Sequence, residues 1–325
     1  MNKKQITAMA ILTLVLAFMD ISGLPAILFV NCSFSDVTPY IISLLVNFPI
    51  IGFFAWFDLK LLKKDWELGL HTSGLIVGLK KYAFAGVAAG ILSCIAFIIG
   101  LAPFDYKPSV WKILIEGVLY YFGVAFIEEL YVRGLFLNIV DRIAFKNERH
   151  TVIAIWVSSV VFGLGHIPGM IGMEPLVILF KVISTIGMGL YFGAIYKRTN
   201  NLWMPIILHG FIDICALPYC FTTFSGYKTI SLIGLVIIYT LLGLYSIVLM
   251  KPKKTINSHL EEHLMYKKEK HIAIGGFVLS VFLFLCAVIN IFSGHTSAAI
   301  GSIGSGVFFF SVSLAAYKKS KGNKQ

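Results

Sequence analysis

Val118-Leu-Tyr-Tyr-Phe-Gly-Val-Ala-Phe-Ile-Glu128-Glu129-Leu-Tyr-Val-Arg133-Gly-Leu-Phe136 reads as a helix meant for lipid that nevertheless carries two adjacent carboxylates and a guanidinium. A spanning helix needs about 20 predominantly apolar residues, and this run with its flanks supplies them. A charged side chain at the bilayer centre costs at least about 2.5–3.5 kcal/mol on insertion scales. Two neighbouring carboxylates raise that cost, because like charges resist ionising together. Intramembrane ionisable groups mark functional sites by default. The bland alternative is a buried ionic network with Arg133.

The rest of the chain has the same character. Of its 325 residues 58% are apolar or aromatic and 13% are charged. The mean hydropathy is +0.86. These values describe an all-α, polytopic membrane protein with short loops. Apolar windows fall at 6–30, 40–62, 82–102, 111–140, 151–172, 175–197, 202–221, 229–250, 272–292 and 297–317. About ten transmembrane helices follow. We divide them into an N-terminal group with an interfacial segment (1–110), a core (111–221) and a C-terminal accessory group (222–325).

The net charge of +11 needs no nucleic acid. Lys3 and Lys4 precede the first window. Lys60, Lys63, Lys64, Lys80 and Lys81 follow the second, and Arg142, Lys146 and Arg149 the fourth. Lys197 and Arg198 follow the sixth, a cluster from Lys251 to Lys270 the eighth, and Lys318, Lys319 and Lys321 the tenth. Loops near 31–39, 168–174 and 293–297 hold no Lys or Arg. Every basic cluster thus lands on one side, which makes both termini cytoplasmic. The mixed segment 65–81 is expected along that interface, with Trp66 as anchor. The expected location is a bacterial cell membrane. The five cysteines show no paired spacing and read as isolated thiols in apolar sites.

Three apolar segments carry reactive residues. Glu129 and Arg133 are four apart and share a helix face, so they can pair. Glu128 points about one hundred degrees away, toward another neighbour. His166 follows Phe162 by one turn, so the ring can wall the site. Gly163 and Gly165 allow a close helix approach. His209 and Asp213 share a face, so Asp213 can orient the imidazole. Two histidines with carboxylates can activate water, either by taking its proton or by binding a metal that acidifies it. Counted along ideal helices, Glu128 and His166 lie about 20–24 Å from their basic ends and His209 about 12 Å, an uneven depth.

Glu128-Glu129-x-x-x-Arg133, then Phe162-x-x-x-His166, then His209-x-x-x-Asp213, on successive apolar segments, resembles the CPBP family of CAAX proteases and bacteriocin-processing enzymes, also called Abi. Gly134-Leu-Phe136 and Trp203-Met-Pro205 resemble family text as well. The likeness spans roughly residues 111–216. It implies an intramembrane endopeptidase, in that family a metalloprotease, opening toward the cytoplasm or inner leaflet. Its substrates would be membrane-associated peptides or proteins, lipid-modified ones or small peptide precursors. By this resemblance Glu128 activates water with help from His166, while His209 and Asp213 bind the oxyanion or a metal. His166, His209 and Asp213 would be the ligands of a zinc ion in the metal version. Glu129, Arg133 and Phe162 complete the site. Asp213 departs from members with Asn at this place, and an ionised Asp cannot donate a hydrogen bond.

Two rival classes keep the fold without the hydrolysis: a noncatalytic membrane partner or immunity protein, and an ion-coupled transporter. A transporter of inverted halves would show internal symmetry, and none is visible. Asp20 and Lys181 are further intramembrane charges; Lys181 is expected to snorkel outward. His259-Leu-Glu-Glu-His263 has the inverted zincin spacing, but it sits in a polar linker and reads as a solvated helix.

Overall fold

The computed structural model describes residues 35–62, 68–143, 150–224 and 226–251, with scattered positions between 4 and 15. Among the described residues there is no strand. Seven of their helices are long and apolar enough to cross a membrane: α1 (Thr38–Lys60), α2 (Leu75–Leu101), α3 (Val110–Arg142), α4 (Thr151–Met170), α5 (Pro175–Thr199), α6 (Trp203–Phe221) and α7 (Thr229–Leu249). They coincide with the seven interior apolar windows. The windows at 272–292 and 297–317, the His259–His263 motif, Trp66, Asp20 and most of the window at 6–30 lie outside the described residues.

Residues 1–251 form one compact unit. On α2 several buried positions are small, at Gly86, Ala89, Gly90 and Ser93, while Phe84, Ile91, Ile95 and Ile98 face outward. Lipid tails are as apolar as these outward side chains, so association rests on close packing and interhelical hydrogen bonds. Ser93 shows the second device: its hydroxyl bonds the Ala89 carbonyl and the Tyr239 hydroxyl of α7, at 2.8 and 2.9 Å. Cys94, Cys215 and Cys220 are free thiols.

The interfacial reading of 65–81 needs correction over its second half. Leu75 already opens α2, and Lys80 and Lys81 lie on that spanning helix. Both are exposed. Their apolar stems let the helix begin earlier than the charges suggest, and the Lys81 ammonium rests over the Tyr82 ring at 5.3 Å.

Helix α5 is the centre of the unit. From Gly187 to Tyr196 every residue is buried. It packs on α4 through Gly163 and on α7 through Gly187 and Gly243. A side chain at Gly187 would collide with the Tyr239 carbonyl, and one at Gly243 would press on the Gly187 backbone. Helix α3 is wound unevenly, with wide i→i+5 turns over Ile115–Tyr120 and Leu130–Leu137. Such turns recur at functional sites. The second begins immediately after Glu129.

The two ends of the unit are clasped differently. At the basic end Lys197 bonds Asn138 and Asp141, at 2.6 and 2.8 Å. Arg198 holds the carbonyls of Leu249 and Lys251, and Asn201 Nδ2 donates to the His71 carbonyl at 2.7 Å. At the other end Tyr106 N donates to the Phe221 carbonyl at 3.1 Å. There Thr223 donates twice to Asp105, from its amide at 2.8 Å and its hydroxyl at 2.5 Å. These bonds hold the Asp105 carboxyl below its ordinary range.

The α5–α7 crossing generates a prediction. Gly187→Ala should cost about 1–3 kcal/mol through overpacking, read as a lower melting temperature of the detergent-purified protein. Unchanged melting would mean that the two helices part without cost.

Candidate active site

Helix α3 delivers the carboxylates, α4 and α6 the imidazoles. Glu129 and Arg133 are wholly buried, and Arg133 Nη1 donates to Glu129 Oε1 at 2.8 Å. The same oxygen accepts from His209 Nδ1, also at 2.8 Å. One carboxylate oxygen therefore ties α3 to α6. Because a carboxylate only accepts, Nδ1 of His209 carries the proton of this bond.

The other nitrogen, Nε2, faces Asp213 Oδ2 at 3.4 Å and Glu128 Oε2 at 3.7 Å. A lone-pair nitrogen and two ionised carboxylates would repel one another at these distances, so at least one proton is shared among the three groups. Glu128 is 7% exposed, against 0% for Glu129. Adjacent in sequence, the two carboxylates have separate surroundings: Glu129 is locked between two donors, and Glu128 stands at the edge of the cluster.

Aromatic rings seal it. The Phe162 ring meets His166 and His209 edge to face, at centroid distances of 5.1 and 5.9 Å. The Arg133 guanidinium lies 4.3 Å from that ring's centroid and 5.6 Å from that of Phe192. Phe192 packs on His209 at 5.0 Å. Cation–π contact compensates part of the cost of burying Arg133. His166 Nδ1 donates to the Phe162 carbonyl at 2.9 Å, which leaves Nε2 as its lone-pair nitrogen.

The sequence reading singled out Glu128, Glu129, Arg133, Phe162, His166, His209 and Asp213, and the structure brings all of them together. The uneven depth counted on ideal helices does not keep the groups apart. The wide turns of α3 shift its register, and the 2.8 Å bond from His209 to Glu129 shows the two helices in step.

One expectation needs correction. Lys181 does not reach away from the protein: its ammonium lies 5.7 Å from the centroid of the Tyr227 ring. A lone lysine early in an apolar helix was the available signal. Phe192 had none, being one aromatic among many.

His166 lies in the terminal turns of α4, and Lys181 lies early in α5. Among the described residues, no three His, Cys, Asp or Glu side chains stand where they would hold a metal ion. One nitrogen of each imidazole is already committed to a protein acceptor.

This is a helical membrane protein with a buried carboxylate–imidazole cluster among its spanning helices. Residues 109–215 match the family model of Rce1-like proteins, described as type II CAAX prenyl endopeptidase Rce1-like. That segment contains every residue of the cluster named above. No curated protein matches the chain.

The shared oxygen of Glu129 yields a prediction. Arg133→Met leaves a buried carboxylate without its cation and should destabilise by about 3–5 kcal/mol, seen as a fall in melting temperature. The double variant Glu129→Gln/Arg133→Met should recover part of that loss. If the two changes add, the pair is not the coupled unit described.

Proposed function

We propose that the protein is an intramembrane endopeptidase that hydrolyses peptide bonds of membrane-associated substrates with a water activated by Glu128. The carrying observation is the asymmetry of the two carboxylates: Glu129 is committed to Arg133 and His209, whereas Glu128 sits beside His209 Nε2 at the less enclosed edge. The match over residues 109–215 supports the reaction class.

In this reading Glu128 takes a proton from water as the oxygen attacks the scissile carbonyl carbon. The carbonyl π pair moves onto its oxygen. His166, with Nε2 as its lone-pair nitrogen, accepts a hydrogen bond from the same water and orients it. His209, held by Glu129, presents Nε2–H toward the developing charge. On collapse the C–N bond breaks, and Glu128 returns its proton to the leaving nitrogen. Phe162 and Phe192 keep bulk water away, which strengthens each of these interactions. The lipid-facing exterior makes peptides held at the membrane, by a lipid or an apolar segment, the natural substrates.

The test uses proteoliposomes and a membrane-anchored peptide library read by mass spectrometry. Wild type should release discrete products. Glu128→Gln and His166→Ala should each lower the rate by about 10²–10⁴-fold, the usual contribution of acid–base groups, while still inserting into the membrane. Chelator should leave the wild-type rate unchanged. Full processing by Glu128→Gln would return the noncatalytic reading. Loss on chelation with recovery on zinc would replace the glutamate mechanism by a metal one.

A further inference from the structure

Arg133 anchors Glu129, yet the guanidinium itself is held by little. Nη1 donates to Glu129 Oε1 at 2.8 Å, while Nε and Nη2 are buried without a hydrogen-bond partner. Oε2 of Glu129 is in the same condition. The rings of Phe162 and Phe192 lie against the guanidinium but supply no hydrogen bond. Where this head group stands is therefore set largely by where its backbone stands. That backbone belongs to the wide turn Leu130–Leu137.

Asn138 closes the turn. Its backbone N–H bonds the Leu135 carbonyl. The Gly134 carbonyl, which that N–H would take in a regular α-helix, is bonded instead by the Asn138 side chain, Nδ2 donating at 2.7 Å. The Arg133 carbonyl accepts from the same nitrogen at 3.4 Å. One side-chain amide thus grips the peptide units on both sides of Gly134. Its remaining capacity reaches α5. Nδ2 also donates to the Tyr196 hydroxyl at 2.8 Å, and Oδ1 accepts from Lys197 Nζ at 2.6 Å. The Tyr196 hydroxyl in turn donates to the Leu68 carbonyl at 3.3 Å. These partners fix which way the amide points. Turned over, it would set its oxygen against the Gly134 carbonyl and its NH2 against the ammonium.

We propose, on the basis of the hydrolase reading above, that Asn138 is a positioning residue. By holding the Arg133 and Gly134 carbonyls it sets the height of the Arg133 guanidinium. Through Oε1 of Glu129, which accepts from both Arg133 and His209, it sets the pose of His209 beside Glu128. The amide touches none of the reacting groups. Its bonds to Tyr196 and Lys197 tie the turn to α5, and each is dispensable while the grip on Gly134 stays.

The experiment measures steady-state cleavage in proteoliposomes of a membrane-anchored peptide chosen from the library because wild type cleaves it. Asn138→Asp keeps the shape and the acceptor for Lys197 but removes both N–H donors. It should lower kcat about 100-fold with KM nearly unchanged, the scale of a displacement of about 1 Å at the reacting groups. Lys197→Met and Tyr196→Phe, which each cut one link to α5, should leave kcat near the wild-type value. Magic-angle-spinning NMR of isotope-labelled arginine side chains supplies a readout free of activity. The Arg133 resonance, identified by its loss in Arg133→Lys, should move in Asn138→Asp and stay in Lys197→Met. If Asn138→Asp does not fold, Asn138→Ala is read by the same criteria; failure of both to fold makes Asn138 merely structural and overturns the proposal. So does wild-type kcat in Asn138→Asp, a change confined to KM, an equal loss in Lys197→Met or Tyr196→Phe, or an unmoved Arg133 resonance. Glu128→Gln run beside them separates the failures. If it is inactive while Asn138→Asp cleaves normally, only the role of Asn138 falls. If Glu128→Gln cleaves normally, the hydrolase reading falls, and the resonance alone decides whether Asn138 positions Arg133.

Discussion

A single carboxylate oxygen, Oε1 of Glu129, holds the site together. It accepts from Arg133 on its own helix and from His209 on another, both at 2.8 Å. In a medium without water, a buried carboxylate needs its donors from the protein. That requirement fixes the distance between α3 and α6, the rotation of each helix and the tautomer of His209. Once His209 is oriented, its remaining nitrogen must face Glu128 and Asp213, and the reactive edge of the cluster is defined.

Packing makes that bond affordable to form. Arg133 could not be enclosed by aliphatic side chains alone, and the structure surrounds it with the faces of Phe162 and Phe192. Those rings reach it because α5 lies close to its neighbours along a row of glycines, Gly187, Gly189 and Gly193. The small residues of α5 thus act on chemistry two helices away. They bring the aromatic wall into reach of groups carried by α3 and α6.

The same closeness explains why two carboxylates adjacent in sequence serve different ends. Helical geometry turns Glu128 and Glu129 about one hundred degrees apart. One turns into donors and becomes structural; the other meets an imidazole at the edge of the enclosure. The wide turn that starts at Leu130 lets Arg133 stay above Glu129 while the helix beyond it shifts register. Asp213, one turn beyond His209 on α6, then completes the cluster at 3.4 Å from its Nε2.

Much of this was readable from residue order. Long apolar runs can satisfy their backbone in lipid only as helices, so seven of the spans were legible, as were the pairing of Glu129 with Arg133 and the candidacy of His166, His209 and Asp213. Local spacing settles such matters because it acts within one helix. The aromatic seat of Arg133, the part played by Phe192 and the bond that ties His209 to Glu129 were not legible. Each depends on which face of one helix meets which face of another and at what height. That is set by glycines touching across a crossing and by one shared oxygen, contacts between residues dozens of positions apart that no periodicity along the chain encodes.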